Sequence, residues 1–333
     1  MATAFDDTRW MGAALALGER GRGRTTPNPN VGCVIVADGI VVGRGWTQPG
    51  GRPHAEAMAL AQAGEKSRGA TVYTTLEPCA HVSTRGPACS DLLQLAGVAR
   101  VVIALGDPDL RTNGAGVARL RDAGIAVDLG ARAAAARSAM VGFLMRREQG
   151  RPAVTLKLAL SLDGATAMGS GTSKWITGPE ARAHAHLERT RHDTILVGRA
   201  TIDADDPTLD VRLPGLEPRS PRRFILSRTP DLQHPAPDGA LPWENLAAPD
   251  AIGTLEGIDT MLVEGGPTTA AAFLAADLVD RLLLYRAPIM VGGGRTLPDI
   301  GLADLSEAHG RWTMTDARTL GSDRLEVYER VRE

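Results

Sequence analysis

A His-Ala-Glu triplet at residues 54–56, a Pro-Cys pair at 78–79 and a later Cys89 limit how the first part of this chain can fold. Zinc binds Cys thiolates and His nitrogens, and a catalytic zinc site has three protein ligands and a fourth position for water. His54, Cys79 and Cys89 supply such a set. Pro53 precedes His54 and Pro78 precedes Cys79 at a strand end, so we expect one ligand at the start of a helix and the two cysteines near the start of another. We therefore predict a zinc site where strand ends meet helix starts.

Glu56 lies two residues beyond His54. From there its carboxylate can take a proton from the water and pass it to a leaving amine. H-x-E followed by P-C-x-x-C is the signature of zinc nucleoside and base deaminases. The match is partial, because nine residues separate the two cysteines here. A chance arrangement of His and Cys is the alternative, but both motifs lie at helix–strand junctions, which favours the metal site.

The first part of the chain alternates between helix and strand patterns. Residues 31–46 predict two strands joined by a turn at Asp38-Gly39, which is a hairpin signal. Further strands are predicted at 70–76, 100–105 and 125–130, and helices at 7–20, 54–64, 89–98, 116–124 and 131–145. This order indicates a three-layer α/β/α domain, and the hairpin makes its sheet mixed.

A polar segment at 145–152 ends in Gly and Pro and predicts a domain boundary. We assign a first domain to 1–147 and a second to 151–333. The second domain has strand patterns at 153–164, 193–198, 222–227, 259–266, 280–294 and 324–331. Residues 214–257 are rich in Pro and Asp and are predicted to be irregular, with short elements at best.

Composition excludes several classes of protein. Aromatic residues make up 4% of the chain, so its cores must consist of Ala, Val, Leu and Ile. The net charge of −2 argues against a polyanionic partner. Acidic residues precede the first apolar segment and arginines follow it, opposite to a secretory signal, and no apolar run reaches a membrane-spanning length. Three cysteines cannot form a full disulfide set. We expect a cytoplasmic protein without a nucleic-acid or membrane partner.

Several stretches resemble the bifunctional riboflavin-biosynthesis deaminase/reductase family. They are TPNPNVGCVIV (26–36), GEKSRGATVYTTLEPCAH (64–81), GDPD (106–109), GAGVARLRDAGI (114–125), KLALSLDGATA (157–167), SGTSKWITG (170–178), DTILVGRATIDADDPTLDVR (193–212), LVEGGPTTAAAFL (262–274) and LVDRLLLYRAPIMVGGG (278–294). The resemblance covers most of the chain. It implies a cytidine-deaminase-like first domain, a dihydrofolate-reductase-like second domain, Zn²⁺ and NADPH. The implied substrate is a phosphoribosylaminopyrimidine, deaminated first and then reduced to the ribityl compound.

In the first domain the resemblance makes Glu56 catalytic and implies that Asn28 and Asn30 contact the pyrimidine. By itself their segment is a Pro/Asn turn before a strand. The loop between the zinc cysteines is one residue longer than the family pattern, and we expect the extra residue to bulge outward at 83–86. We expect His81 to stay outside the metal ligands, since it follows Cys79 too closely.

In the second domain a strand runs into Gly-Gly and then Pro-Thr-Thr at a helix start. Glycines let backbone approach a phosphate, and the helix N-terminus offers free N–H groups. The alternative is a plain strand–helix turn. The resemblance assigns cofactor contacts to Ala159, Trp175, Thr201, Asp205, Ser227, Gly265, Gly266, Pro267, Thr268 and Thr269. It assigns substrate contacts to Ser173, Arg189, Leu209, Arg212 and Glu264.

Two residues are candidates for the acid of the reductase. Lys157 lies among apolar strand residues, with Ser161 on the same face, and we rank it above Asp205. Asp205 belongs with Asp203 and Asp206 to a predicted loop.

Other charged residues of the second domain are assigned less specific roles. His184, His186 and His192 are interpreted as solvated helix residues rather than metal ligands. NADPH and NADH are not distinguished by any single residue, with Arg199 and Arg228 as the candidates for a 2′-phosphate contact.

Two rival functions stay open at this point. The chain could be a nucleoside or nucleic-acid deaminase with an unrelated C-terminal domain, although its balanced charge does not favour this. It could also be a non-catalytic, zinc-stabilised binding protein, but a structural zinc site would not need Glu56. We also expect the protein to form a homo-oligomer.

Overall fold

The computed structural model describes residues 4–81, 84–229 and 242–332. The chain divides into two compact units at the Gly150–Arg151 junction. Helix continues to Gln149, so most of the polar segment predicted as a boundary belongs to the first unit. Across the described ranges, no helix has both the length and the apolar character that crossing a membrane requires.

The first unit has a mixed five-stranded sheet with helices packed against it. Its strands are β1 (Gly32–Ala37), β2 (Ile40–Trp46), β3 (Thr71–Leu76), β4 (Arg100–Leu105) and β5 (Ala126–Leu129), in the order β2-β1-β3-β4-β5. Strand β1 is antiparallel to β2 and β3, whereas β3, β4 and β5 are parallel. Its helices are α1 (Ala4–Gly18), α2 (Ala55–Ala63), α3 (Cys89–Leu95), α4 (Ala115–Asp122), α5 (Ala133–Ala139) and α6 (Val141–Gln149). The predicted mixed sheet is confirmed.

The turn between β1 and β2 has the geometry that its sequence predicts. Asp38 and Gly39 have φ values of 50° and 75°. Two consecutive left-handed residues characterise the tight hairpin turn whose twist matches the strands, and Asp-Gly is a favoured pair for it. The single helix predicted at 131–145 is wrong, because Met140 leaves helical geometry and separates α5 from α6.

A core of small aliphatic residues fills the first unit, as the low aromatic content predicts. Tyr73 on β3 is an exception, being buried with its hydroxyl donating to Asp7 at 2.9 Å. Arg100 on β4 donates to both carboxylate oxygens of Asp7 at 2.9 and 2.8 Å. These bonds attach α1 to the two central strands.

Helix α2 lies in very close contact with β2. A Cβ atom on Gly43 would stand 2.3 Å from the carbonyl oxygen of Ala59, and one on Gly45 would stand 2.0 Å from that of Ala55. Real Cβ atoms do not approach carbonyl oxygens this closely. Glycine at both positions is therefore what allows α2, which carries Glu56, to lie against the sheet.

The second unit has an eight-stranded sheet in the order β12-β13-β11-β6-β10-β7-β8-β9. Its strands are β6 (Ala153–Leu160), β7 (Thr194–Gly198), β8 (Arg222–Leu226), β9 (Glu244–Leu246), β10 (Thr260–Val263), β11 (Arg281–Arg286), β12 (Trp312–Leu320) and β13 (Asp323–Arg330). The six strands from β11 to β9 in that order are parallel to their neighbours, and β13 and β12 add antiparallel pairs. The helices are α7 (Pro179–Arg189), α8 (Arg199–Asp205) and α9 (Pro267–Ala275).

Short 3₁₀ helices complete the described structure at Glu19–Gly21, Pro49–Gly51, Gly64–Ser67, Glu217–Arg219, Pro249–Thr254 and Leu305–Ala308. Strand β12 was not predicted, and β9 lies within the stretch predicted to be irregular. Residues 230–241 of that stretch lie outside the described residues.

Two predictions about single residues of the second unit are wrong. His192 is not solvated: it is 2% exposed, and its ring hydrogen-bonds to Thr155 and to the carbonyl of Glu188. Asp203 and Asp205 are not on a loop, because α8 includes both.

The close contact between α2 and β2 leads to a stability prediction. We expect Gly45→Ala to lower the free energy of unfolding by about 1–3 kcal/mol, because the new methyl group must push the helix backbone away. Urea denaturation followed by circular dichroism measures this change.

Gly106→Ala is the matched control for this substitution. Its Cβ would meet only Glu77, at 3.8 Å, and Gly106 has no left-handed backbone conformation to strain. We expect a change within about 0.5 kcal/mol. Equal effects of the two substitutions would show that the helix contact is not tight.

Candidate active sites

His54, Cys79 and Cys89 come together in the first unit. Their ligand atoms all lie within 4.8 Å of one another, and His54 Nδ1 lies 3.3 Å from Cys89 Sγ and 3.6 Å from Cys79 Sγ. Zn–N and Zn–S bonds of about 2.1 and 2.3 Å at a tetrahedral angle separate N from S by about 3.6 Å. The donor set and its spacing therefore fit zinc.

Three different segments hold these ligands. His54 is the residue that precedes α2, Cys79 lies in the loop after β3, and Cys89 is the first residue of α3. The prediction that both cysteines stand near a helix start holds only for Cys89. The two are still linked, because the Cys89 N–H donates to Cys79 Sγ at 3.4 Å and the Ser90 N–H donates to the Cys79 carbonyl at 3.2 Å.

These contacts favour a thiolate at Cys79. A hydrogen bond from the Cys89 thiol outweighs burial, and with the His54 contact and the Cys89 N–H it lowers the pKa of Cys79 to about 4. The same pairing raises the pKa of Cys89, because its thiol is the donor. A thiolate is the form of cysteine that binds metals.

Glu56 is buried beside the metal ligands. It is 3% exposed, and its Oε1 accepts a hydrogen bond from Thr74 at 3.2 Å. Burial raises the pKa of Glu56, and His54 and the Cys89 hydrogen bond oppose this only in part. A carboxyl group with a raised pKa holds a proton more readily than an exposed one, which suits a proton shuttle.

A pocket with about 490 Å³ of empty space, part of it open to solvent, opens onto Glu56, His54 and Cys79. It is lined by Asn28, Pro29, Val31, Thr47, His54, Glu56, Leu76, Glu77, Cys79, His81, Asp107, Asp109, Arg111, Phe143 and Arg147. All of these residues belong to the first unit.

The structure separates the two asparagines that were predicted to contact substrate. Asn28 lines the pocket, and its Nδ2 lies 2.7 Å from the Gly51 carbonyl oxygen and 3.1 Å from His54 Nε2. Asn30 is not among the lining residues. Its amide instead donates to the carbonyls of Gly18 and Ala139.

His81 also lines the pocket without joining the metal ligands. Its Nδ1 lies 3.5 Å from the Thr112 hydroxyl. The outward bulge expected at 83–86 begins at residue 83, which lies outside the described residues.

The sequence analysis missed Glu77 and the GDPD segment as parts of the site. Glu77 is 4% exposed, and its carboxylate accepts hydrogen bonds from the backbone N–H groups of Asp107, Gly114 and Val117. Burial raises the pKa of Asp107 to about 6. The segment was noted only as part of the resemblance, without a role.

In the second unit, most of the predicted cofactor residues lie at one edge of the sheet. Ala159 is near the end of β6, Thr201 is in α8 after β7, Ser227 follows β8, and residues 265–269 follow β10. These four strands are neighbours and parallel. The carboxyl edge of such a sheet is the usual ligand-binding edge.

Glycines let two helix starts approach this edge. A Cβ on Gly198 would stand 2.2 Å from Thr269 Oγ1, and one on Gly265 would stand 2.5 Å from Thr269 Cβ. Gly198 and Gly266 precede α8 and α9, and Pro267 is the first residue of α9. The N–H groups at the start of α9 fit a dinucleotide phosphate.

A largely buried ion cluster of Lys157, Arg189 and Glu264 lies beside this edge, with side chains 21%, 11% and 6% exposed. Arg189 donates to both oxygens of Glu264 at 2.7 and 2.9 Å, and Lys157 Nζ lies 3.8 Å from Glu264 Oε2. Burial opposes ionisation of Glu264, but attraction by the two cations outweighs it and lowers the pKa of Glu264 to about 2. Burial lowers the pKa of Lys157, and Glu264 opposes this only in part.

Leu209 and Arg212 lie next to this cluster. The intervening Asp210 carbonyl accepts from Arg189 at 2.7 Å, and the Arg212 side chain is 57% exposed. His186, predicted to be solvated, is half-buried and hydrogen-bonds to Asp210 and Arg212. His184 is also half-buried, and its Nδ1 lies 2.8 Å from the Tyr285 hydroxyl.

Three further predicted residues lie on more exposed segments. Trp175 is 65% exposed, with Arg182 over its ring at 4.8 Å, and Ser173 lies two residues before it. Asp205 pairs with Lys174 at 3.1 Å. The Ser161 hydroxyl donates a hydrogen bond to Asp163 and so stabilises the turn between them.

Two family descriptions match this chain. The cytidine and deoxycytidylate deaminase zinc-binding region matches residues 5–105, and the RibD C-terminal domain matches residues 152–325. The second match rules out an unrelated C-terminal domain. Together the matches confirm the predicted fold class, a cytidine-deaminase-like domain followed by a dihydrofolate-reductase-like domain.

Curated relatives and solved structures match along nearly the whole chain. The riboflavin biosynthesis protein RibD of Escherichia coli K12 is 42% identical, over 96% of this chain and 98% of its own. RibD of Aquifex aeolicus is 39% identical, over 91% and 92%. A RibD structure from Acinetobacter baumannii (form 1) has a TM-score of 0.88 at 36% identity, over 99% and 100%. A solved diaminohydroxyphosphoribosylaminopyrimidine deaminase/5-amino-6-(5-phosphoribosylamino)uracil reductase from Thermotoga maritima has a TM-score of 0.88 at 32% identity, over 98% and 99%.

The metal cluster leads to a prediction about zinc content. We expect Cys89→Ala to lose most of its zinc, because two remaining ligands hold zinc weakly, and we expect His81→Ala to keep about one zinc per chain. Atomic absorption on the purified variants measures this.

Cys33→Ala is the matched control. Cys33 is fully buried on β1 and does not belong to the cluster, so its loss should leave the zinc content unchanged. If His81→Ala loses zinc while Cys89→Ala retains it, His81 is a ligand and the ligand set is wrong.

The ion cluster leads to a prediction about stability and pH. We expect Glu264→Gln to destabilise the second unit by about 3 kcal/mol at pH 7, because it leaves two largely buried cations without their carboxylate partner. The folded pKa of Glu264 lies below the usual value, so its stabilisation is complete above the unfolded pKa and is lost as the pH falls through about 2. The difference in free energy of unfolding between wild type and variant should therefore decrease as the pH falls from about 5 to about 3. Hydrogen exchange of the β6 and β10 amides measures it.

Glu244→Gln serves as the surface control. Glu244 accepts two hydrogen bonds from Arg222 but is 39% exposed, so we expect a loss below about 1 kcal/mol. If the loss of stability caused by Glu264→Gln did not change with pH, Glu264 would not be ionised in the cluster.

Proposed function

Since this chain belongs to the RibD family of riboflavin biosynthesis proteins, we propose that it catalyses two consecutive steps of that synthesis. Its first unit hydrolyses the 2-amino group of 2,5-diamino-6-(5-phosphoribosylamino)pyrimidin-4-one, with loss of ammonia. Its second unit reduces the ribosyl side chain of the deaminated product to ribityl with NADPH. The observation that carries the first half is the His-Cys-Cys cluster beside a buried Glu56 in one pocket.

His54, through Nδ1, with Cys79 and Cys89 would hold the zinc. The ion supplies Lewis-acid activation of the water that attacks the amidine carbon. Glu56 moves the protons: its carboxylate accepts one from the attacking water and delivers it to the leaving amine. Thr74 holds the carboxyl group in place through its hydrogen bond to Oε1.

Asn28 is the better supported of the two asparagines for holding the pyrimidine. Its amide lines the pocket next to His54, where a base presented to the metal must lie. His81 lines the same pocket and is a second candidate for substrate contact. We keep Asn30 as a weaker candidate, since its amide is used on backbone carbonyls.

In the second unit, Lys157 is our choice for the proton donor. Bound NADPH would supply the hydride for C1 of the sugar, and the ring oxygen released from C1 would need a proton. The lowered pKa of Lys157 makes its ammonium group a better donor than an exposed lysine. Asp205, which is paired with Lys174, is a less suitable donor.

The neighbours of Lys157 hold the substrate in this proposal. Arg189 and Glu264 fix each other, and Leu209, Arg212 and Ser173 complete the substrate side. The cofactor lies along the carboxyl edge of the sheet, against Ala159, Trp175, Thr201, Asp205, Ser227 and residues 265–269. A cytoplasmic location and a homo-oligomeric state are also part of the proposal.

Glu56→Gln tests whether the two activities are separate. We expect it to keep zinc and fold but to lose deamination by about 10²- to 10⁴-fold, because the amide cannot accept the proton. NADPH-dependent reduction of the deaminated intermediate should be unchanged. Ammonia release and NADPH absorbance measure the two steps on the same preparation.

Lys157→Gln is the reciprocal variant, expected to lose reduction and keep deamination. If one substitution abolishes both steps in a folded, zinc-loaded protein, the two-site assignment is wrong. If Lys157→Gln reduces normally, the proton donor is another residue.

A further inference from the structure

Two arginines converge on one carboxylate in the pocket of the first unit. Arg111 contacts Asp109 through Nη2 at 2.6 Å and through Nε at 2.9 Å. Arg147 approaches the same carboxylate at 3.6 Å. All three residues line the pocket that also contains Glu56, His54 and Cys79, so a molecule in that pocket meets them.

This trio has an excess of positive charge. Arg111 strongly lowers the pKa of Asp109, which is therefore ionised, and two cations with one anion leave a formal charge of +1. Three other acids, Glu56, Glu77 and Asp107, line the same pocket. Glu77 accepts hydrogen bonds from three backbone N–H groups and Asp107 accepts one from that of Asp109.

Both guanidinium groups are held in place and are still accessible. The Arg111 side chain is 61% exposed although its Nε and Nη2 are fixed on Asp109, and the Arg147 side chain is 38% exposed. Arg147 also lies over the Phe143 ring, 5.4 Å from its centroid. A planar guanidinium that is already oriented loses little freedom when it binds an oxyanion in bidentate fashion.

We propose that Arg111 and Arg147 form a phosphate subsite in the deaminase pocket, which binds the 5-phosphate of the phosphoribosyl group. This rests on the proposed function, because that substrate joins a pyrimidine, which must reach the metal ligands, to a phosphate monoester. With the dianion bound, two positive charges face three negative ones, so charge-assisted hydrogen bonds from the two guanidinium groups, and not a balance of net charge, hold the phosphate. The subsite makes the first unit selective for the phosphorylated substrate over the free riboside.

The alternative is a surface ion network that only holds the loop after β4. A structural network would affect every substrate equally, whereas a phosphate subsite affects only phosphorylated ones. The ratio of the two KM values therefore distinguishes the alternatives.

The test compares two substrates on the full-length, zinc-loaded protein. Ammonia release is measured for 2,5-diamino-6-(5-phosphoribosylamino)pyrimidin-4-one and for its dephosphorylated form, with wild type, Arg111→Gln, Arg147→Gln and the double variant. We expect each substitution to raise KM for the phosphorylated substrate by about tenfold, as losing one charge-assisted hydrogen bond would, with little change in kcat. The KM for the dephosphorylated substrate should change less than about twofold.

Arg119→Gln is the matched control. Arg119 lies on α4, pairs with Asp91 at 2.7 Å, has a side chain 38% exposed like that of Arg147, and does not line the pocket. It should leave both KM values unchanged. Inorganic phosphate should inhibit wild-type deamination competitively and inhibit the double variant much less, which tests the subsite without the ribosyl group.

The outcomes separate this inference from the proposed function. If wild type deaminates neither compound, the proposed function fails. If wild type deaminates both with equal KM, or if the double variant raises both KM values by the same factor, the function stands and the phosphate subsite is refuted. Arg147→Gln keeps the test valid if Arg111→Gln disturbs the loop, because only Arg111 hydrogen-bonds Asp109 directly.

Discussion

Parallel pairing of neighbouring strands decides where both sites of this protein lie. In the first unit Leu76 pairs with Leu105 at the carboxyl ends of β3 and β4, so the segments that follow these strands run side by side. Glu77 joins them, because its buried carboxylate accepts backbone N–H groups from the second segment and from α4. In the second unit the four parallel strands β6, β10, β7 and β8 gather the cofactor residues in the same way. The position of each site is therefore set first by the sheet and only then by the loops.

Strongly patterned segments were predictable, and weakly patterned ones were not. The β1–β2 hairpin follows from alternating apolar residues around Asp-Gly, and the buried parallel strands follow from their continuous apolar runs. Strand β12 gave no such signal, because most of its residues are exposed and it pairs only with β13 at the edge of the sheet. His192 lies just beyond a helix whose sequence suggests solvent, yet tertiary contacts bury it against β6.

The metal ligands could be predicted because cysteine is rare in this chain and its chemistry is specific. The arginine–aspartate trio could not, because these residue types are common on every surface. Asp109 and Arg111 follow β4, whereas Arg147 lies near the end of α6, and only the folded chain brings them together. For the same reason the sequence did not distinguish the role of Asn28 from that of Asn30. The two residues are only two positions apart, but their side chains have different hydrogen-bond partners.

The contact between α2 and β2 matches two different periodicities. Gly43 and Gly45 are two residues apart on a strand, a distance of about 6.7 Å, while Ala55 and Ala59 are four residues apart on a helix, a distance of about 6 Å. Because these two spacings are nearly equal, both contacts can form at only one rotation of the helix about its axis. That rotation also sets the direction of Glu56. One residue inserted between the two alanines would turn one contact about 100° away from its glycine. Insertions should therefore be tolerated between the zinc cysteines, where the chain has an extra residue, but not in the first turns of α2.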